Sequence, residues 1–205
     1  MIETVLFDFG GVLAREGFKE ALEAIARRNG LEPSAFFETG RDLVYSTGYV
    51  IGKVSETDFW EALRKATGVQ EHEDQLRQAV LERFILNPAM VETAEELKRR
   101  GLAIGILSDQ TNWLDELDHR YQFLQRFDFV FNSFRLHKSK KDASLFREVA
   151  QTMGRVPEEI LFVDDVLENA ERAASQGLTA IHYKEFGQFR EELEKALSKG
   201  SGAKP

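Results

Sequence analysis

Acidic residues follow two short apolar runs that stand far apart in the chain, where they are suited to binding a cation and an anionic substrate. Near the start, Asp8 lies between an apolar run and a glycine turn in VLFDFGGVL. Near the end, Asp164 and Asp165 follow a second apolar run in ILFVDDVLEN. If both runs are parallel strands of one sheet, their carboxyl ends meet in a crevice, where three carboxylates repel one another. A divalent cation or a shared proton is the usual remedy, so we expect Mg²⁺ and, as first candidate, a phosphorylated substrate.

Short apolar runs that alternate with amphipathic helical patterns are the elements expected to position these carboxylates. The helical patterns end at glycines, as in ETAEELKRRG, DASLFREVAQTMG and LENAERAASQG. Runs that are apolar at consecutive positions are typical of strands buried on both faces. The alternation predicts an α/β protein with a Rossmann-like, doubly wound parallel sheet and helices on both faces. The strand candidates are 4–7, 102–107, 127–131, 160–163 and 179–182.

The region between the first two strand candidates breaks this alternation. It contains the helical patterns FKEALEAIARRNG, PSAFFETGRDLVYSTG, SETDFWEALRKATG and EDQLRQAVLERFIL, and no convincing strand. Because an ordinary crossover is much shorter, we predict a small all-α cap domain at 15–88 and a catalytic core at 1–14 and 89–205. The cap either only adds core or forms a lid over the crevice, and its position directly after Asp8 favours the lid. The composition of 198–205 predicts a disordered tail.

Composition restricts the classes of partner. The chain has 205 residues and is 42% hydrophobic, which suits one domain, or one domain with an insert, and an ample core. A net charge of -8 and a pI of about 5.2 argue against nucleic acid or an anionic membrane as partner. The absence of cysteine excludes disulfides and thiol catalysis. Because the chain has neither a basic start nor a long apolar run, we expect a cytoplasmic protein. We also expect a small-molecule substrate, and either a monomer or a homodimer.

Four motifs in order carry a resemblance to a known family. VLFDFGGVL, AIGILSD, LHKSKKDASLF and LFVDDVLENA resemble, in sequence and rough spacing, the four motifs of the haloacid dehalogenase superfamily. That superfamily contains many Mg²⁺-dependent aspartyl phosphotransferases and phosphatases. The resemblance covers the chain from about 5 to 182, and the helical insert resembles the family's α-helical cap. GKVSETDFW is similar to cap sequences of a branch that includes sugar-phosphate phosphatases.

The resemblance implies roles for residues of the first three motifs. Asp8 matches the nucleophile, which forms an aspartyl-phosphate that water then hydrolyses. Ser108 matches a hydroxyl that donates to a phosphoryl oxygen, although it also reads as the N-cap of the next helix, and both roles are compatible. Asp109, where many relatives have Asn, lies beside it in the phosphate-binding segment. Lys140 matches the lysine that neutralises the nucleophile and the phosphoryl group, with Lys138 or Lys141 as alternatives.

The remaining implied roles concern the metal. The Asp164–Asp165 pair matches the acidic fourth motif, in which one carboxylate binds Mg²⁺ directly and the other binds through water or positions the lysine. Asp8 and the backbone carbonyl of Gly10 complete the implied metal ligands. Asn169 fits a family pattern in which an asparagine supports this loop.

Gly10 is a departure from the family pattern. Most phosphatases of the family carry an aspartate there, which protonates the leaving oxygen and later activates water. General acid–base assistance is worth about 10² to 10⁴-fold in rate. Glu16, Asp109 or a cap carboxylate could replace the missing aspartate. Alternatively, a substrate with a good leaving group, such as a sugar 1-phosphate or an acyl phosphate, would need less proton transfer.

Three functions therefore compete. The first is a Mg²⁺-dependent phosphomonoester hydrolase acting on a small phosphorylated metabolite. The second is a 2-haloacid dehalogenase, which the acidic pair disfavours because it would repel a carboxylate substrate. The third is a catalytically weak or inactive binding protein, suggested by Gly10. Candidate specificity residues are Arg15, Arg41, Tyr45 and Tyr49.

Overall fold

A five-stranded parallel sheet forms the centre of the molecule. The computed structural model describes residues 1–198, and the strand order is β3-β2-β1-β4-β5. Every residue of β1 and β4 is buried, as expected for strands covered on both faces. This arrangement confirms the predicted α/β class. The strands are β1 (Thr4–Phe7), β2 (Ala103–Ser108), β3 (Phe129–Asn132), β4 (Ile160–Asp164) and β5 (Thr179–His182).

Helices connect the strands and cover the sheet. Amphipathic periodicity and caps place most of them where the sequence patterns predicted, with glycines at or just after several helix ends. None of the helices within residues 1–198 is long and apolar enough to span a membrane. The helices are α1 (Gly17–Arg28), α2 (Pro33–Ser46), α3 (Glu56–Thr67), α4 (Glu73–Leu81), α5 (Pro88–Arg99), α6 (Trp113–Tyr121), α7 (Ser133–Leu136), α8 (Ser144–Thr152), α9 (Leu167–Ser175) and α10 (Phe186–Ser198).

The predicted ends of β2 and β3 were wrong by one or two residues. Both strands start later and end one residue later than the apolar runs indicated. The reason is that the polar residues Ser108 and Asn132 are paired across the two strands. Phe127 closes a 3₁₀ turn at Leu124–Arg126 instead of starting β3.

The strand order brings the functional loops together. The central strand β1 pairs with β2 on one side and with β4 on the other, all parallel. The loops that follow these three strands therefore leave the same edge of the sheet, next to the point where the strand order reverses. Ligands bind at this position in open α/β sheets.

Helices α1 to α4 form an insertion whose two ends meet. Ala14 forms an isolated antiparallel bridge with Leu86. The Arg15 N–H donates to the Ile85 carbonyl at 2.9 Å, and the Asn87 N–H donates to the Leu13 carbonyl at 2.8 Å. The chain thus leaves the core and returns at one place, close to the predicted cap boundaries.

The insertion packs against the core through aromatic side chains. The Trp60 ring of α3 lies 5.8 Å from the Trp113 ring of α6, centroid to centroid. Buried residues of the insertion and of the sheet belong to one continuous hydrophobic cluster. The predicted tail at 198–205 lies outside the described residues, except for Ser198 at the end of α10.

Candidate active site

Three carboxylates from two loops meet at the carboxyl edge of the sheet. Asp8 follows β1, while Asp164 ends β4 and is followed by Asp165. Each offers an oxygen that lies within 4.8 Å of the others. The Asp8 N–H donates to the Val163 carbonyl at 2.8 Å, which ties the loop after β1 to β4. The structure thus brings together the acidic residues that the sequence placed at opposite ends of the chain.

Lys140 inserts its ammonium group into this cluster. Its Nζ lies 2.6 Å from Asp164 Oδ2 and 3.0 Å from Asp8 Oδ1, and the residue is only 1% exposed. Lys138 instead forms ion pairs with Asp142 and Glu148 outside the cluster. The local sequence left this choice open, and the fold brings Lys140 to the carboxylates.

Burial and mutual repulsion shift the protonation of the cluster. Desolvation, opposed by Lys140 and reinforced by Asp164 and Asp165, raises the pKa of Asp8 to about 7. Desolvation and the Asp164 charge also raise the pKa of Asp165 to about 7. Burial alone would lower the pKa of Lys140, but the charges of Asp164, Asp8 and Asp109 hold it well above its usual value. The site therefore favours additional positive charge.

The donor set fits a hard divalent cation. Carboxylate oxygens are the ligands that such ions prefer, and the ammonium of Lys140 balances only part of the charge of three clustered carboxylates. Gly11 makes the cluster possible, because it adopts φ +79 and a Cβ there would overlap the Asp165 carboxylate. Asp8, Asp164 and Asp165 would hold the ion. Gly10, the fourth predicted ligand, lines the same cavity.

Asn169 supports the loop after β4. Its Nδ2 donates to both carboxylate oxygens of Asp164 at 3.2 Å, and its Oδ1 accepts from Arg172 at 2.8 Å. The Val166 N–H also donates to Asp164 Oδ1 at 2.8 Å. These donors orient the Asp164 carboxylate toward the cluster, as the sequence pattern predicted for Asn169.

Asp109 connects three elements beside the site. Its Oδ1 accepts from the Ser133 hydroxyl at 2.6 Å and from the Lys140 N–H at 2.8 Å. Its Oδ2 accepts from the Tyr45 hydroxyl at 3.0 Å. Asp109 therefore holds α2, the start of α7 and the lysine loop in place. Its direct contact with phosphate stays a prediction.

Ser108 lies at the end of β2 and lines the cavity. The prediction that it caps the next helix was wrong, because α6 begins only at Trp113. The intervening residues form an irregular loop, in which the Thr111 hydroxyl accepts from the Trp113 N–H at 3.3 Å. Ser108 is 3% exposed, and its role toward phosphate stays a prediction.

A cavity of about 280 Å³ opens above the cluster. Its floor is polar, and the insertion and α6 supply most of an apolar wall. Of the predicted specificity residues, Arg41 and Tyr45 line the cavity, whereas Arg15 and Tyr49 are not among its lining residues. Arg15 is exposed, and Tyr49 is buried with its hydroxyl donating to Asn112 Oδ1 at 2.6 Å. Sequence reasoning missed the wall, because its aromatic residues share the helical spacing of ordinary core positions. The apolar wall consists of Phe18, Phe37, Val44, Phe84, Trp113 and Val166.

Glu16 precedes α1 and also faces the cavity. Its Oε1 accepts from the Lys19 N–H at 3.3 Å, which caps the helix. Desolvation raises the pKa of Glu16 to about 7, and the Asp8 charge adds to this rise. An acidic side chain thus stands close to Asp8 on the side of the insertion.

Comparison with known proteins identifies the family. A model of haloacid dehalogenase-like hydrolases matches residues 2–177. The chain belongs to this hydrolase family. It is 26% identical over 215 residues to bifunctional epoxide hydrolase 2 of Sus scrofa, covering 95% of this chain and 38% of that protein. The chain thus spans well under half the length of this curated relative, and 22% of its counterpart in Rattus norvegicus.

Solved structures of the family share the fold. A haloacid dehalogenase family enzyme of Bacteroides thetaiotaomicron, in complex with magnesium and inorganic phosphate, matches with a TM-score of 0.71 and 20% identity, covering 90% of this chain and 95% of that chain. L-2-haloacid dehalogenase of Xanthobacter autotrophicus, with chloropropionic acid covalently bound, matches with a TM-score of 0.68 and 19% identity, covering 95% and 83%. At these identities the likeness concerns the fold alone.

Proposed function

We propose that this hydrolase is a Mg²⁺-dependent phosphomonoester hydrolase that acts on a small phosphorylated metabolite through an aspartyl-phosphate on Asp8. The observation that carries the proposal is the cluster of Asp8, Asp164 and Asp165 around the Lys140 ammonium, at the floor of a cavity. The Bacteroides enzyme with the same fold was solved with magnesium and inorganic phosphate, so this fold can hold both.

Asp8 would act as the nucleophile. A carboxylate oxygen attacks phosphorus, the bond from phosphorus to the ester oxygen breaks, and water then hydrolyses the aspartyl-phosphate to release inorganic phosphate. The ammonium of Lys140 at 3.0 Å keeps the Asp8 carboxylate oriented and offsets the repulsion between two anions. Asp8, Asp164 and Asp165 would hold Mg²⁺, which would supply the further positive charge that this approach of anions requires.

The cavity fits a substrate with an anionic end and a compact organic body. The phosphoryl group would lie at the polar floor, near Asp8 and Ser108. The organic part would contact the apolar wall, which includes Phe37 and Val44 of α2 and Trp113 of α6. Burial of such a body against aromatic side chains provides binding energy away from the reacting group.

Dehalogenase activity is less compatible with the charges on the cavity floor. A 2-haloacid carries a carboxylate, which acidic side chains that line the cavity, including Asp8, Asp109 and Asp165, would repel, and the cations among the described lining residues are Lys140 and Arg41. The Xanthobacter dehalogenase shares the fold at 19% identity, which does not extend its substrate to this chain. A second alternative, a binding protein with little turnover, is favoured by Gly10, because this residue has no side chain that could transfer protons.

The decisive experiment compares the wild type with Asp8→Asn. Inorganic phosphate release is measured with and without Mg²⁺ on sugar phosphates, nucleotides and acyl phosphates, and halide release is measured on 2-chloropropionate. Asp74→Asn, an exposed change on α4, serves as the matched control. We expect Mg²⁺-dependent phosphate release that Asp8→Asn abolishes and Asp74→Asn retains, with both variants folded by circular dichroism.

Other outcomes have distinct meanings. Full-rate phosphate release by Asp8→Asn would exclude the covalent mechanism. Halide release without Mg²⁺ would indicate a dehalogenase. Binding of Mg²⁺ without turnover on any substrate would point to a binding protein, and Gly10 would then explain the loss of catalysis.

A further inference from the structure

The carboxyl group of Glu16 lies next to the place where a side chain at position 10 would begin. A Cβ built on Gly10 would be 3.0 Å from Glu16 Oε2 and 3.5 Å from the Phe84 ring. The Glu16 carboxyl therefore lies directly beside position 10, so close that its oxygen would have to move by a few tenths of an ångström to admit a Cβ there. Both residues line the cavity together with Asp8.

The backbone around the insertion entrance holds Glu16 in this place. Gly10 forms an isolated parallel bridge with Ala14, and Ala14 bridges to Leu86 on the returning segment. Gly17 lets the start of α1 approach this segment, since a Cβ there would lie 2.7 Å from the Phe84 backbone nitrogen. Glu16 thus stands at a fixed junction of core and insertion.

The two oxygens of Glu16 face different groups. Oε1 accepts from the Lys19 N–H at the start of α1, and Oε2 points toward Gly10. Capping a helix requires one oxygen, so the second oxygen remains on the cavity side. Glu16 and Asp8 line the same cavity, in which the substrate would bind.

We propose that Glu16 performs the proton transfers for which Gly10 has no side chain, and this inference rests on the proposed function. The protonated Glu16 carboxyl donates its proton to the ester oxygen while the bond from that oxygen to phosphorus breaks and the bond from Asp8 to phosphorus forms. The Glu16 carboxylate then takes a proton from the water that attacks the aspartyl-phosphate. Phosphate is released, and both carboxyl groups return to their starting states.

The first test varies the leaving group in Glu16→Gln. Proton donation matters for a poor leaving group such as the alkoxide of a sugar, and matters little for an acyl phosphate or 4-nitrophenyl phosphate. We expect kcat/KM, which reports formation of the aspartyl-phosphate, to fall by about 10² to 10⁴-fold on alkyl phosphates. On the good leaving groups, we expect a fall of less than about tenfold, because general acid assistance is then small.

Glu32→Gln is the matched control. Glu32 caps α2 in the same manner, accepting from the Ser34 and Ala35 N–H groups at 3.2 and 2.6 Å. It is exposed. We expect Glu32→Gln to leave kcat/KM unchanged on every substrate, which separates proton transfer from helix capping.

The second test moves the carboxyl group back to position 10. Gly10 does not have a positive φ, so an aspartate is compatible with its backbone once the Glu16 side chain is removed. We expect Glu16→Ala to lose activity on alkyl phosphates. The double variant Gly10→Asp/Glu16→Ala should have a kcat/KM on these substrates that is at least about tenfold higher than that of Glu16→Ala.

Two results would overturn the inference. One is a uniform effect of Glu16→Gln on all leaving groups, including no effect. The other is a folded double variant, by circular dichroism and urea unfolding, that regains nothing. If Asp8→Asn abolishes phosphate release and either of these two results is obtained, the role of Glu16 fails and the phosphatase stands. If the wild type releases no phosphate from any substrate, the proposed function fails first.

Discussion

At the residue scale, one buried ammonium group stabilises a cluster of like charges. Lys140 contacts Asp8 and Asp164, and its backbone N–H donates to Asp109. Asp164 is 0% exposed, so its carboxylate has little access to water that would replace a lost partner. Removing one partner of a buried ion pair is costly, because the other charge stays buried and uncompensated.

The first prediction concerns Lys140→Met. We expect the free energy of unfolding without Mg²⁺ to fall by about 3–5 kcal/mol, and phosphate release to be lost. The control is Lys138→Met, whose ion pairs lie at the surface and should contribute little to stability. Urea unfolding at pH 7 measures both. Equal stability of the two variants would show that Lys140 is not essential to the balance of charge.

The second prediction concerns Gly11→Ala. Both Gly11 and Gly30 have positive φ, but a Cβ at Gly11 overlaps Asp165 while a Cβ at Gly30 meets nothing within 4 Å. Gly30→Ala should therefore cost about 1 kcal/mol from backbone strain alone and leave phosphate release unchanged. Gly11→Ala should cost more and raise the Mg²⁺ concentration needed for half-maximal phosphate release. Urea unfolding and Mg²⁺ titration of the activity measure the difference, and indistinguishable variants would contradict the role of Gly11.

At the element scale, a single carboxylate ties the insertion to the core. Glu56, at the start of α3, accepts from the Trp60 and Trp113 indole N–H groups at 3.0 and 2.9 Å and from Asn112 Nδ2 at 3.0 Å. Arg77 of α4 lies 3.3 Å from the same carboxylate. Helices α3, α4 and α6 therefore share one acceptor, which also faces the positive end of the α3 dipole.

The third prediction concerns Glu56→Ala. This change leaves two indole N–H groups without their acceptor, so the free energy of unfolding should fall by about 1–3 kcal/mol. Glu61→Ala, an exposed change on the same helix, should stay within about 0.5 kcal/mol of the wild type. Urea unfolding followed by tryptophan fluorescence checks both variants. A Glu56→Ala protein as stable as Glu61→Ala would show that packing alone joins α3 to α6.

At the scale of the whole molecule, the insertion and the sheet share their hydrophobic core. Phe59 of α3 stacks on Tyr49 with ring centroids 5.1 Å apart and packs edge-on against Trp113 of α6 at 6.4 Å. These residues belong to the cluster that also contains β1 and β4 side chains. Unfolding of the core would therefore break the aromatic contacts that hold the insertion, and with it the cavity wall, in place.

The fourth prediction is a single cooperative unfolding transition. Tryptophan fluorescence, which reports Trp60 in the insertion and Trp113 in α6, and far-UV circular dichroism should give the same midpoint in urea. Phe59→Ala, which opens a cavity at the junction, should lower both midpoints together by removing about 3–5 kcal/mol. Separate midpoints for the two signals would show that the insertion unfolds independently, as the predicted cap domain boundaries allow.

Local patterns in the sequence were sufficient for the class of fold. Consecutive apolar residues and glycine-ended amphipathic patterns predicted the five parallel strands and the four helices of the insertion, since periodicity and capping depend on neighbouring residues. The polar ends of β2 and β3 were misplaced, because cross-strand pairing, which local hydrophobicity does not report, decides where a strand stops.

The sequence by itself determined which chemical groups the site contains, because Asp8, Ser108, Lys140 and the Asp164–Asp165 pair stand in recognisable motifs. The motif match favoured Lys140 over the alternatives Lys138 and Lys141, and the tertiary structure decided the choice by burying Lys140 among the carboxylates. It also decided that Glu16 fills the space beside Gly10 and that aromatic residues of the insertion face the cavity. These choices depend on how distant segments pack, and packing is a property of the whole fold rather than of any short stretch of chain.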